Sequence, residues 1–141
     1  MRAMMFLLRA LAVWLIMMFV EFIHGVLRAM YLAPLVGEFQ ARQISVVLGS
    51  FLILAIAHLF VRWIRADTTG VLPMVGLVWL AFTVAFELSF GRFSLGLSWE
   101  RIASDYDVPH GGLLIFGLIV LTLSPLIAAR LRGFKTNMII P

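Results

Sequence analysis

The chain has 141 residues, of which 63% are hydrophobic and only 13% charged, with a mean hydropathy of +1.08; soluble globular domains run at roughly 45–50% apolar and about 25% charged. That composition excludes an ordinary water-soluble domain and predicts a polytopic membrane protein. The net charge of +4 does not point to nucleic acid, because the basic residues stand singly at the ends of apolar runs and form no stripe. With no cysteine, disulfides and thiolate chemistry are excluded as well.

Taken in order, residues 1–9 have the basic start of a signal peptide, but the apolar run that follows is too long and lacks a small-residue cleavage site, so it is expected to stay as a helix. The first span is predicted over residues 10–27, whose 18 residues rise about 27 Å, enough to cross the hydrocarbon core. Arg9 and Arg28 mark its borders and Tyr31 falls at the interface. Pro34 and Gly37 break the pattern, and Glu38, Gln40, Arg42 and Gln43 make a polar connection to a second span over residues 44–63, which contains His58 and ends at Arg62, Trp63 and Arg65. Asp67-Thr68-Thr69-Gly70 reads as a tight turn. The third span, 72–90, has Pro73 in its first turn, where a missing N–H costs nothing, and Glu87 among its last. Residues 91–110 form the longest polar connection, in which 97–103 have the mixed faces of a short helix lying in the membrane plane, capped by Ser98. The fourth span, 111–129, contains Ser124-Pro125, where a bend is expected and neighbouring helices can satisfy the freed carbonyl. The tail after Arg130 carries Arg132 and Lys135 before an apolar tip at residues 138–141. The fold class is therefore all-α: one domain over residues 1–141, a bundle of four transmembrane helices with a short interfacial helix in its outer loop.

Charge sets the expected orientation. Arg2, Arg9, Arg62, Arg65, Arg130, Arg132 and Lys135 lie on the side of both termini, against Arg28, Arg42, Arg92 and Arg101 on the other. The positive-inside rule then places both termini in the cytoplasm of a bacterial-type inner membrane. Glycines 49, 76 and 117 suit close helix approach.

An internal repeat is also suggested. Val13-Trp14-Leu15 aligns with Val78-Trp79-Leu80, Glu21-x-x-x-Gly25 with Glu87-x-x-x-Gly91, and Gly49 and Arg62 with Gly117 and Arg130, at offsets of 65, 66 and 68. Such offsets are what two parallel two-helix units with slightly different loops would give.

The candidate site lies at the outer border. Glu21, His24 and Arg28 share one helical stripe, and ionisable groups at that depth point to function. Glu87 and Arg92 occupy the matching place in the second half, and two facing carboxylates would need a proton or cationic partners, for which Arg28 and Arg92 are the candidates. Asp105, Asp107 and His110 are the outer-loop candidates. Glu21-x-x-His24 is the unit that di-iron bundles use, but a metal site needs a second set of ligands from Glu87, Asp105, Asp107 or His110, so no metal is assigned. His24 and His110 share a border and allow a haem pair in principle, yet His58 sits near the inner side and completes no second pair, so no haem is assigned either. No Gly-x-Ser-x-Gly elbow or phosphate loop occurs, and no enzyme class is indicated.

The expected function is an outward-facing polar pocket, built from Glu21, His24, Arg28, Glu87 and Arg92, that binds a small polar ligand or a proton, in transport. Two other readings compete. One is an accessory or assembly subunit of a larger membrane complex; the other is a redox protein bearing haem or metal. The expected partners are the lipid bilayer and either a second copy or a membrane-complex subunit, with no nucleic acid. Reporter fusions after Pro141 and within residues 94–98 should label opposite sides of the membrane, the first cytoplasmic; labelling of both on one side would overturn the four-span reading.

Overall fold

The computed structural model describes residues 2–64 and 71–131. The turn expected at Asp67–Gly70 and the tail with Arg132 and Lys135 lie outside the described residues. The helices are α1 (Arg2–Leu27), α2 (Ala33–Val36), α3 (Glu38–Ile64), α4 (Val71–Ser89), α5 (Trp99–Ser104) and α6 (Leu114–Leu131), and no strand occurs among the described residues. Four helical stretches, Met4–Val36, Glu38–Ile64, Val71–Ser94 and Leu114–Leu131, are long and apolar enough to cross a membrane. The protein is an all-α, four-helix, multi-pass bundle.

The first helix does not stop at Arg28. It widens into a π-helical turn over Arg28–Leu32, with the Ala33 N–H donating to the Arg28 carbonyl five residues back, and resumes as α2. Pro34 lies in the first turn of α2, where its missing N–H is no loss. The break comes at Gly37 instead, whose φ of 90° is accessible to glycine but strained for other residues. Consequently the expected polar connection Glu38–Gln43 is the helical start of α3, with Glu38 in the first turn where the helix dipole favours an acid. A second π turn, Phe90–Ser94, extends α4 in the same way.

The connection from α4 to α6 contains the short helix expected there. Ser98 caps α5 by accepting from the Arg101 N–H at 3.1 Å. A 3-10 turn at Val108–His110 and a left-handed Gly111 (φ 93°) then delay α6 to Leu114, three residues later than expected. Within α6 the carbonyl that Pro125 leaves without an N–H partner, that of Leu121, accepts from Ser124 Oγ at 2.7 Å. The neighbouring residue on the same helix does what a neighbouring helix was expected to do.

The four long helices pack as a ring: α1 against α3, α3 most extensively against α6, α6 against α4, and α4 more lightly against α1. Ala10, Val13 and Met17 of α1 and Leu72, Val75 and Trp79 of α4 point inward at spacings of three and four and are fully or almost fully buried. Two indole hydrogen bonds tie these helices, Trp79 Nε1 to the Ala10 carbonyl at 2.8 Å and Trp14 Nε1 to Thr83 Oγ1 at 2.9 Å. At the same end Arg9 donates to the Trp63 carbonyl at 3.2 Å and stacks over its ring, a cation placed on the last turn of α3.

The buried faces bear differently on the two parts of the sequence repeat. In the second helices Ile53, Ile56, Ala57 and Val61 match Leu121, Ser124, Pro125 and Ala129, all buried, at the offset of 68 read from Gly49 and Arg62. In the first helices the buried stripes match at 62, as do the two π turns, and not at 65 or 66. A slip of three residues turns a helix by about 60° from coincidence and a slip of four by about 40°, so the Trp match falls off register, while Glu21 and Glu87 still line one cavity.

Of the three glycines expected at close contacts, Gly76 is the tightest, since a Cβ there would run into the Thr122 carbonyl of α6. At Gly117 a Cβ would meet Val46 Cγ1 at 3.3 Å, and at Gly49 the space is taken by the Glu21 carboxylate rather than by a helix backbone. Gly76→Ala should destabilise the protein by about 1–3 kcal/mol, because a backbone carbonyl cannot rotate away. Thermal unfolding in mild detergent should show a clearly lowered midpoint for Gly76→Ala and a smaller change for Gly117→Ala.

Candidate functional site

Glu21, His24 and Arg28 do share one side of α1, as their spacing of three and four requires. His24 Nδ1 lies 3.5 Å from Glu21 Oε2, and the Glu21 carboxylate lies against Gly49, where any side chain would displace it: a Cβ would stand 2.9 Å from Oε2. The three residues line a cavity of about 150 Å³ with Arg42, Gln43 and Ser45 of α3 and the start of α6. A second cavity of about 390 Å³ shares Glu21, Arg28, Arg42 and Asp105 with the first and adds Glu87 of α4 and Tyr106 of the long connection. Its size falls in the range of small-molecule sites, roughly 300–1,000 Å³. The walls are apolar, with Met18, Phe22, Phe86, Leu118 and Leu121.

An ion cluster holds the long connection over this end of the bundle. The Asp105 carboxylate accepts from Arg42 through Oδ1 and from Arg101 Nη1 through Oδ2 at 3.1 Å, and Arg101 Nη2 reaches Glu38 Oε1 at 3.3 Å. Backbone bonds complete the attachment, from Gly112 N to the Asp107 carbonyl at 2.9 Å and from Leu114 N to the Asp105 carbonyl at 3.2 Å, with Gln43 Nε2 donating to the Gly111 carbonyl at 2.9 Å. Gly112 has no room for a side chain, because a Cβ would strike the Ser104 and Asp105 carbonyls.

Four polar atoms on residues that line the larger cavity are buried without a hydrogen-bond partner among the described residues: Glu21 Oε1, Glu87 Oε2, the Tyr106 hydroxyl and Arg42 Nε. Such groups cost about 1–3 kcal/mol each when unsatisfied, so they are the cavity's candidate contacts for water, a proton or a ligand. Tyr106 is further marked by its environment. Burial pushes its phenol up to about 12, with the Glu87 and Asp105 carboxylates adding to the shift.

The structure therefore brings Glu21, His24, Arg28, Glu87 and Asp105 together and leaves the other candidates outside. Arg92 is not among the cavity residues; it donates to the Leu97 carbonyl at 3.1 Å and lies over the Trp99 ring. Asp107 and His110 pair with each other at 2.8 Å on the exposed surface. The cationic partner expected for Glu87 is absent too: neither Arg28 nor Arg92 forms an ion pair with it among the described residues. Nor do three His, Asp or Glu side chains converge as metal ligands among the described residues, and His24 and His110 do not face one another across a cavity. Arg42, Arg101, Ser45 and Tyr106 were not picked out from the sequence; the one signal available was the run Asp105-Tyr106-Asp107 beside an apolar span. Comparison of the chain with protein-family models, curated proteins and solved structures finds no significant match.

Because the Tyr106 phenol holds its proton more tightly in the folded protein than the free side chain at 10.0, its neutral form favours folding fully below that pH. The contribution is lost as pH rises through about 12. Tyrosinate absorbance of wild type minus Tyr106→Phe should show a step near that upper value, and the stability gap between the two proteins should change only above pH 10. A step at the free-tyrosine value would show that the hydroxyl is open to water.

Proposed function

We propose that this membrane protein binds a small polar ligand or a proton in the cavity between its helices and serves in transport. The observation that carries the reading is the set of four buried, unpartnered polar atoms on Glu21, Glu87, Tyr106 and Arg42, residues that line one cavity of about 390 Å³. Intramembrane carboxylates are costly unless they face a partner or a pathway, and this lining offers both acceptors and a donor to a polar ligand. The excess of Lys and Arg on the side of both termini supports a cytoplasmic placement for them in an inner membrane, which sets the cavity end toward the outside. Duplicated parallel hairpins, α1 with α3 and α4 with α6, fit the ring packing and the paired π turns. In that scheme the offset is 62 in the first helices and 68 in the second.

The competing role, an accessory subunit in which the same charges only hold helices together, predicts a different response to mutation. Removing one partner of a buried ion pair costs about 3–5 kcal/mol, whereas replacing both with apolar groups is often neutral. For a ligand site, Glu21→Gln should leave the thermal midpoint in detergent within the spread expected for about 1 kcal/mol, while any cellular phenotype and any co-purified small molecule seen by native mass spectrometry are lost. Replacing Glu21 and His24 together by Leu should not rescue function. Restoration of both stability and phenotype by that double change would sink the transport reading and leave the accessory role.

A further inference from the structure

Which ligand fits can be read from the charges that remain once the internal pairs are removed. Arg101 is taken up by Asp105 and Glu38, and Arg42 pairs through Nη1 with Asp105 while its Nε–H stays without a partner. Arg28 is different: it lines both cavities and forms no hydrogen bond or ion pair with any described residue. Its guanidinium folds back along its own helix, as helical side chains do, and lies beside Gly25, 4.0 Å from where a Cβ would be. Gly25 is one turn, about 5.4 Å, from the level of Glu21. A cation without an ion-pair partner thus lines the same cavity as the free carboxylate oxygens of Glu21 and Glu87, with the Asp105 carboxylate, already held by Arg42 and Arg101, in the same lining.

We infer that the ligand is a small zwitterion of the amino-acid kind, its anionic group on Arg28, its ammonium on Glu87 and Glu21, and an apolar side chain among Phe22, Phe86, Leu118 and Leu121. The inference rests on the ligand-binding reading above. An anion alone would sit close to two carboxylates with nothing to offer their lone pairs, and an amine alone would leave the half-buried guanidinium of Arg28 beside an added positive charge. A zwitterion satisfies both ends and brings no net charge into a low-dielectric space, where an unpaired ion is expensive. The planar guanidinium suits a carboxylate held by two parallel hydrogen bonds. The Tyr106 hydroxyl stands beside Glu87 as a further acceptor for the ammonium. Stacked Phe86 and Phe90, with ring centroids 5.5 Å apart, and Phe22 edge-on to Phe90 close the apolar side.

The test is calorimetric or native-mass-spectrometric titration of the full chain in mild detergent with matched probes. These are leucine with 3-methylbutylamine and 4-methylpentanoate, and phenylalanine with phenethylamine and 3-phenylpropionate. The zwitterion of at least one set should bind about tenfold or more tighter than its amine and its acid, the scale of one charge-assisted hydrogen bond. Arg28→Gln should lower the zwitterion to the level of the amine, and Glu87→Gln to the level of the acid. Arg28→Lys, which keeps the charge, should retain part of the preference and guards against a misfolded Arg28→Gln. An amine that binds as tightly as its zwitterion, with Arg28→Gln indifferent, would overturn the inference and leave the cavity reading standing. Binding of no probe from either set would also overturn the inference, leaving the cavity reading to the Glu21→Gln test above.

Discussion

The Asp105 carboxylate, shared between Arg42 and Arg101, is the contact on which the cavity half of this molecule depends. Arg42 stands near the start of α3, where a cation opposes the helix dipole, and its side chain is only 17% exposed. A half-buried cation in that place needs an anion, and the one supplied comes from 63 residues further along the chain. Holding Asp105 there fixes the adjacent Tyr106 over Glu87 and seats Gly112 against the carbonyls of the connection. The roof of the cavity and its polar lining are thus consequences of a single shared carboxylate.

The two ends of the bundle solve the same problem of burial in opposite ways. Around Trp79 the helices meet through apolar side chains and through indole N–H groups that reach a carbonyl and a hydroxyl, so every buried donor named there is satisfied. At the other end the inward stripe of α1 changes from Ala10, Val13 and Met17 to Glu21, His24 and Arg28, and the helices cannot close on groups that still need partners. Space is made by small residues. Gly49 accommodates the Glu21 carboxylate, and Gly25 lets the Arg28 guanidinium lie along α1. Packing therefore divides along the bundle axis, with a closed apolar core at one end and an open, charged volume at the other.

The π turns belong to this division. Arg28 is the first residue of one, and the other begins three residues after Glu87. A π turn widens the helix by one residue and is frequent at functional sites. Here each carries its helix past the cavity level without a break, and the first allows Pro34 to sit in a fresh helical start.

Composition and periodicity by themselves determined the class of this protein, since four apolar stretches of bilayer length leave helices as the solution that satisfies the backbone within each segment. They also determined Glu21, His24 and Arg28 as one group, because spacings of three and four are a local property of a helix, and Ser98 as a cap. Pro34 misled because a proline read locally is a helix breaker, while the preceding π turn made its place harmless. The sequence offset of 68 coincides with matching buried positions in α3 and α6, whereas in α1 and α4 the buried positions match at 62 and not at the offsets of 65 and 66 read from residue types. Only the tertiary structure decided that Arg42, Arg101 and Tyr106 join the site while Arg92, Asp107 and His110 do not. Those choices rest on contacts between residues more than 60 positions apart, such as Arg42 with Asp105, and on which side of a loop its side chains fall. Neither is carried by local periodicity; both follow from where the ion cluster pins the connection between α4 and α6.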